Sequence, residues 1–299
     1  MYSYRLYGNT IITDIEFPHL IKERNNEHKP TDIIIQEGMI PEDIRIQEKE
    51  SKYCFNEKRS WLTNSTTWLL VEEGKRVTYE LRPGANLNYL RTYILGYGMS
   101  MLYLQRKEMA FHCAAVSREG EAILIAGESG SGKSTITDAL LDMGFTLMAD
   151  DMAVVIMNDE GSFVVVPGFP YQKLCREVIN LRGYNPETLI YIDEEKDKFL
   201  VPYENEFCLE EKPLRAMFLL ALGDKADKLL MIELKRFDKL HACVNNLFLR
   251  KLLKEQRYEG VTGHKCLEIA SKVPIHLIRR PLCKDTLEEI VDYIKAITS

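Results

Sequence analysis

The feature that most constrains the fold is a glycine-rich stretch between two apolar segments. Residues 122–135 read AILIAGESGSGKST, so an apolar run precedes Gly127, and Lys133 and Ser134 complete the pattern G-x-x-x-x-G-K-[ST]. The following residues, TITDALLDM, have the apolar spacing of a helix. A buried strand, a glycine turn and a helix in this order are typical of a phosphate-binding loop. The glycines let several N–H groups point inward, and the helix N-terminus adds partial positive charge.

The residue types in this loop predict a nucleoside triphosphate and a magnesium ion as ligands. The ammonium group of Lys133 can reach the β- and γ-phosphates, and the hydroxyl of Ser134 can ligate Mg²⁺. The predicted nucleotide-binding residues are Gly127, Glu128, Ser129, Gly130, Ser131, Gly132, Lys133, Ser134 and Thr135.

Composition narrows the remaining classes of function. The net charge of −6 argues against sequence-independent binding of nucleic acid. Seven cysteines without a C-x-x-C pair indicate reduced thiols rather than a disulfide or zinc framework. The first residues lack the apolar core of a signal peptide, and apolar runs fall well short of the ~18 residues of a membrane span. We therefore expect a cytoplasmic protein that has neither nucleic acid nor a membrane as its partner.

The chain divides into two predicted domains. Residues 1–86 contain short alternating and apolar runs, including the run 43–47, and predict a small β-rich N-terminal domain. Pro83-Gly84 marks the boundary, after which residues 87–299 form the phosphate-loop domain. Within it, residues 88–107 predict a linking helix and residues 172–181 a short helix. The expected fold class is therefore α/β with a small β-rich domain.

A histidine precedes the loop on a neighbouring predicted strand. Residues 111–116 and 122–126 are apolar and are separated by a short polar turn, so we expect them to form a hairpin. The hairpin brings His112 into the part of the sheet that carries the phosphate loop. A single histidine on an apolar strand is usually a core residue, and from the residues alone that interpretation is favoured for His112.

Two adjacent carboxylates follow the first strand after the loop helix. Residues 145–149 are apolar, and Asp150 and Asp151 come directly after them. Ligands of open parallel sheets bind outside the carboxyl ends of the strands. Two carboxylates at such an end, beside a phosphate loop, suit Mg²⁺ and a proton acceptor. Because adjacent side chains point in different directions, we expect the two aspartates to have different roles.

Together these motifs resemble the catalytic domain of HPr kinase/phosphorylase. The resemblance rests on FHxAAV at 111–116, on the loop itself, and on GFxLxADD at 144–151. The wider pattern resembles one branch, the HPr-kinase-like kinases of lasso-peptide gene clusters. Four further segments carry that likeness: YRLYG at 4–8, PGFPxxKL at 167–174, Lys198 before Val201-Pro202, and VPIxxIRRP at 273–281.

The resemblance implies an HPr-kinase/PEP-carboxykinase-like fold and phosphorylation of a hydroxyl group that depends on ATP and Mg²⁺. In the lasso-peptide branch the acceptor is the C-terminal serine of a precursor peptide, and related enzymes self-associate as homo-oligomers. Carried over, Lys133 and the loop backbone would hold the phosphates, and Ser134 and Asp151 would hold Mg²⁺. Asp150 would accept the hydroxyl proton, and His112 would lie beside Asp150 to tune or orient it. The roles of the two aspartates could be exchanged.

One departure argues against HPr as the substrate and against phosphorolysis. The bifunctional HPr enzymes carry a signature around E-x-R-G-x-G-I-I-N, whereas the nearest stretch, VINLRGY at 178–184, does not match it. Two alternatives stay open at this point. One is a kinase acting on a small molecule or another protein, and the other is a non-catalytic nucleotide-binding regulatory module.

Overall fold

The computed structural model describes residues 1–23, 31–193, 197–203, 205–224, 228–250, 252, 260–282 and 284–298. The described residues fall into two compact units. The first unit comprises the described parts of 1–108, 171–202 and 251–257. The second, called the loop unit, comprises those of 109–170, 203–250 and 258–299.

Runs of three or four strands are separated by helices along most of the described chain. The strands are β1 Tyr2–Leu6, β2 Asn9–Thr13, β3 Ile21–Lys22, β4 Ile33–Glu37, β5 Tyr53–Cys54, β6 Arg59–Thr63, β7 Thr67–Glu72, β8 Arg76–Leu81, β9 Met109–Phe111, β10 Cys113–Arg118, β11 Glu121–Gly127, β12 Thr146–Ala149, β13 Ala153–Met157, β14 Phe163–Val166, β15 Tyr171–Cys175, β16 Ile190–Asp193, β17 Lys198–Pro202, β18 Lys212–Leu222, β19 Leu230–Glu233 and β20 Ile275–Arg280. The helices are α1 Glu42–Gln47, α2 Leu87–Tyr93, α3 Met99–Gln105, α4 Lys133–Asp142, α5 Arg176–Leu181, α6 Phe237–Asn245, α7 Gly260–Lys272 and α8 Leu287–Thr298. A π-helical segment, Ile94–Gly98, joins α2 to α3, and Pro186–Thr188 form a 3₁₀ turn. None of the helices described is long and apolar enough to span a membrane.

The first unit is built on an eight-stranded sheet in the order β3-β1-β2-β4-β8-β7-β6-β5, together with a three-stranded sheet β15-β17-β16. The predicted boundary at 86/87 gave the helical segment 87–105 and residues 171–202 to the phosphate-loop domain. Both belong instead to the first unit, because α3 packs on β7 and α2 on β16.

Two local predictions in the first unit are wrong. Residues 43–47 were expected to form a strand but form α1, in which Ile44 is 1% exposed and Ile46 is 57% exposed. In a strand the two isoleucine side chains would lie on the same face, whereas here one is buried and the other is exposed. The predicted helix 172–181 is strand β15 followed by the short helix α5, because Gln172 and Leu174 are buried alternately with their more exposed neighbours.

A buried histidine makes the stability of the first unit depend on pH. His19 is 3% exposed, and its ring contacts those of Phe17 and Tyr171 edge-on. Burial, with a smaller contribution from the Arg91 charge, lowers the pKa of His19 from 6.5 to about 4. Lowering the pH from 7 to 5 therefore protonates His19 in the unfolded chain before it does so in the folded one. The difference in pKa corresponds to about 2 kcal/mol of folding free energy lost over that interval.

We expect His19→Phe, which keeps a ring but does not titrate, to reduce the difference in unfolding free energy between pH 7 and pH 5 by about 2 kcal/mol. Urea titration followed by tryptophan fluorescence measures this, because Trp61 and Trp68, the two tryptophans of the chain, both lie in the first unit. His241→Gln, at an exposed histidine, is the control and should leave the pH dependence unchanged. An unchanged pH dependence in His19→Phe would show that burial of His19 does not control it.

In the sheet of the loop unit, the strand directions place the ends of several strands at the same edge. Strand β18 pairs in parallel with both β11 and β20, while β10 is antiparallel to β11 and to β12. The carboxyl ends of β11, β12, β18 and β20, and the beginning of β10, therefore lie at the same edge, called the loop edge below. The remaining strands extend the sheet: β14, β13 and β9 follow β18 in that order, and β19 pairs with β20.

Helices cover both faces of this sheet. Ile136 and Leu140 of α4 and Ile290 of α8 join a cluster on one face that includes Ile123 and Ile125 of β11. Residues of α6 and α7, among them Cys243, Cys266 and Ile269, join a second cluster with Leu124 and Ala126 on the opposite face. The predicted α/β fold class is therefore confirmed, and β11 is buried on both faces, as its continuous apolar sequence indicated.

Candidate active site

The phosphate loop joins the end of β11 to the start of α4, as predicted. Gly127, Gly130 and Gly132 have φ angles of 144°, 82° and 104°, which side-chain-bearing residues rarely adopt. A Cβ atom on Gly127 would lie 2.4 Å from the carbonyl oxygen of Leu220, in the neighbouring strand β18. The loop therefore packs directly on the sheet backbone, and a glycine is required where it leaves β11.

The start of α4 and the loop interior have the properties of a polyphosphate site. The residue before the helix is Gly132, which has no side chain that could cap it, and the helix start contributes partial positive charge. Lys133 Nζ donates to the carbonyl oxygens of Gly127, at 2.7 Å, and Glu128, at 3.1 Å, so the ammonium group lies over the loop. The hydroxyl of Ser131 is buried and has no hydrogen-bond partner within the described part of the chain. The glycine cradle, the start of α4 and the lysine are together suited to binding a polyphosphate.

Asp150 and Asp151 form a strained turn immediately after β12. Asp151 has a φ of 66°, in the left-handed region, which costs a non-glycine residue roughly 1–2 kcal/mol. The amide of Met152 donates to the carbonyl oxygen of Asp150 at 2.8 Å and closes the turn. This turn redirects the chain from β12 into β13 and leaves both aspartates at the loop edge. Backbone strain of this kind concentrates at functional sites, where the surrounding structure maintains it.

His112 lies between β9 and β10 and contacts the aspartate turn. Its Nδ1 is 3.0 Å from the carbonyl oxygen of Asp151 and 3.7 Å from the carboxylate oxygen Oδ1 of the same residue. Because a carbonyl oxygen only accepts hydrogen bonds, Nδ1 carries a proton, and in the neutral ring Nε2 is the nitrogen with the lone pair. The resemblance predicts that His112 lies beside Asp150, and these contacts join it to Asp151, the other aspartate of the same turn.

A segment after α6 also reaches His112, and the sequence gave no sign of it. The carbonyl oxygen of Asn246 accepts a hydrogen bond from the His112 amide at 2.7 Å. The ring of Phe248 meets the His112 ring edge-on, with 5.8 Å between centroids. The amide of Phe248 in turn donates to the Ala110 carbonyl, so the segment runs along β9. It orients the histidine through backbone contacts that no motif encodes.

The carboxylates of this site are too few to hold a metal ion by themselves. Across the described residues, no group of three or more His, Cys, Asp or Glu side chains is close enough to bind a metal. Mg²⁺ in phosphate-transferring enzymes commonly has one or two carboxylate ligands, with phosphate oxygens and water completing its shell. One aspartate of the turn would supply such a carboxylate and Ser134 a hydroxyl ligand, so the residue types present suit Mg²⁺ bound together with a nucleotide.

One comparison with known proteins covers the phosphate loop. Residues 107–148, which include β9 to β11, the loop, α4 and most of β12, match a family model described as the P-loop containing region of AAA domain. No curated protein matches the chain. Among solved structures, the chain is similar to the Hpr(Ser) kinase/phosphatase from Coxiella burnetii, at 12% identity and a TM-score of 0.30, over 63% of this chain and 93% of that chain.

Proposed function

We propose that this protein is a kinase that transfers the γ-phosphate of ATP to a serine hydroxyl, with Mg²⁺ as cofactor. The observation that carries the proposal is the position of the aspartate turn and His112 at the same sheet edge as the phosphate loop. Binding a nucleotide requires only the loop and the helix N-terminus. Transfer to an acceptor hydroxyl also needs a base for its proton, and the carboxylates and the histidine at this edge are candidates for that role.

Phosphoryl transfer depends mainly on positioning and on stabilising negative charge. In this proposal Lys133 and the N–H groups of α4 stabilise the charge on the β- and γ-phosphates. Ser134 and Asp151 are the residues that would hold Mg²⁺, which when bound neutralises phosphate charge. Asp150 accepts the proton of the acceptor hydroxyl. His112 orients the turn through Asp151, and its Nε2 is the second candidate for proton acceptance.

We further propose that the acceptor is the C-terminal serine of a lasso-peptide precursor. Support for this finer statement comes from the sequence resemblance, in particular from the segments 4–8, 167–174 and 273–281. The mismatch of residues 178–184 with the signature of bifunctional HPr enzymes favours a peptide over HPr.

The proposal is tested by incubating the purified full chain with ATP, Mg²⁺ and four kinds of acceptor. These are synthetic precursor peptides ending in serine, the same peptides ending in alanine, HPr, and a panel of small hydroxyl metabolites. We expect mass spectrometry to detect addition of one or more phosphates to the serine peptides and not to the alanine peptides. If only HPr or a metabolite were phosphorylated, the proposal of a peptide acceptor would be overturned. If ATP were hydrolysed and no acceptor phosphorylated, the proposal of a kinase would be overturned.

A further inference from the structure

A second cationic side chain contacts the phosphate loop from a distant part of the sequence. Arg280 is the last residue of β20 and is paired with Leu222 of β18, whereas Gly127 is paired with Leu220 of the same strand. Counted along β18, Arg280 thus lies two residues further toward the carboxyl ends of the strands than Gly127 does. This is the edge of the sheet from which the phosphate loop leaves β11. The parallel order β11-β18-β20 is what brings the arginine and the loop together.

The contact is made to the centre of the loop. Arg280 Nε donates to the carbonyl oxygen of Ser131 at 2.9 Å. A Cβ on Gly132 would lie 3.3 Å from Arg280 Nε and 3.5 Å from Nη2, so the guanidinium plane packs against the residue that precedes α4. The side chain therefore reaches the point at which the helix N-terminus and the glycine cradle meet.

The charge of Arg280 is not neutralised by the part of the protein that the structure describes. Among the described residues no carboxylate forms an ion pair with Arg280, and its guanidinium group makes one hydrogen bond there, from Nε to Ser131. A guanidinium group has five N–H donors in a planar fork, of which this contact uses one. With Lys133, the loop thus carries two cations, and the uncapped start of α4 adds partial positive charge. Such a concentration of positive charge suits a ligand with several negative charges.

We propose that Arg280 is a second phosphate-binding cation of the loop. Its Nε fixes the loop through the Ser131 carbonyl, while its Nη groups hydrogen-bond to phosphate oxygens of the bound polyphosphate. Planar bidentate recognition of phosphate is the property that distinguishes arginine from lysine. The inference rests on the proposed nucleotide site but not on transfer to any acceptor.

The test measures binding of ATP and of inorganic tripolyphosphate to the full chain by calorimetry. We expect Arg280→Gln to weaken both affinities by about 10- to 100-fold, the range for a lost hydrogen bond between charged groups. Arg280→Lys should recover only part of the loss, because one ammonium cannot replace the fork. Arg279→Gln is the matched control, since Arg279 is the exposed neighbour on the same strand, and it should bind both ligands nearly as wild type does.

Thermal unfolding without ligand separates phosphate binding from a purely structural role. We expect Arg280→Gln and Arg279→Gln to have similar melting temperatures. Wild-type affinity for tripolyphosphate in Arg280→Gln would overturn the proposal. It would also be overturned if Arg280→Gln lost affinity and melted at a lower temperature, and if Arg280→Lys fully restored both the affinity and the melting temperature. If wild type binds tripolyphosphate and Arg280→Gln does not, but no acceptor is ever phosphorylated, the kinase proposal fails and the assignment of Arg280 stands.

Discussion

Replacing Lys133 by alanine is expected to lower the rate of phosphoryl transfer by at least about 100-fold and to weaken ATP binding. The reason is electrostatic, because removing one fixed group that stabilises transition-state charge typically has an effect of this size. Lys133 is also held over the loop by the carbonyl oxygens of Gly127 and Glu128, so its charge is already in place before ligand binds. The measurement is phosphopeptide formation with time, together with ATP affinity by calorimetry.

Lys133→Met separates charge from packing in this experiment. Methionine keeps an unbranched side chain of similar length but has neither the charge nor the N–H donors, and we expect it to behave like alanine. Lys235→Ala removes an exposed lysine of the same unit and should leave activity unchanged. Wild-type ATP affinity and transfer in both Lys133 variants would mean that the loop is not the nucleotide site.

Local sequence was sufficient to predict the parts of the site that are contiguous in the chain. The loop, its strand and its helix could be read from residues 122–143, since a glycine pattern with this spacing has one well-known geometry. The hairpin β10–β11 and the position of Asp150 after β12 followed from short apolar runs and from the rule that ligands bind at the carboxyl ends of strands. Each of these predictions concerned elements that are close together in the sequence.

The rest of the site depends on the order of strands in the sheet, which periodicity does not encode. Arg280 is 149 residues from Ser131, and it reaches the loop because β18 lies between β11 and β20. The segment containing Phe248 reaches His112 by running along β9, again without a motif. The contact of His112 with the backbone carbonyl of Asp151, in a turn with a left-handed φ, is likewise not revealed by a sequence.

Short elements were mispredicted where tertiary packing outweighed local pattern. The alternation of residues 43–47 favoured a strand, but burial of Ile44 alone made a helix the better solution. In the same way, the strand β15 completes a sheet with β17, a segment 23 residues further along the chain when counted from Cys175 to Lys198. That sheet belongs to the first unit, which explains why a single boundary at 86/87 could not describe the division of the chain.

The second large effect is expected for the aspartate turn. Asp150→Asn should lower the rate of transfer to the peptide by about 100- to 10,000-fold, the usual contribution of a general base, while ATP affinity changes little. Asparagine has nearly the same size as aspartate but cannot accept the hydroxyl proton. Asp292→Asn, at an exposed carboxylate of α8, is the matched control and should be fully active. Mass spectrometry of the peptide and calorimetry with ATP measure the two quantities separately.

Comparing Asp150→Asn with Asp151→Asn and His112→Gln assigns a role to each of the two carboxylates. If Asp151 holds Mg²⁺, raising the Mg²⁺ concentration should partly restore Asp151→Asn and should not restore Asp150→Asn. The opposite pattern of rescue would exchange their roles, because adjacent residues of one turn face different directions. His112→Gln keeps a donor for the Asp151 carbonyl, so it should lose less activity than Asp150→Asn if the histidine only orients the turn. Near-wild-type phosphopeptide formation by Asp150→Asn, together with a larger loss in His112→Gln, would instead make Nε2 of His112 the proton acceptor.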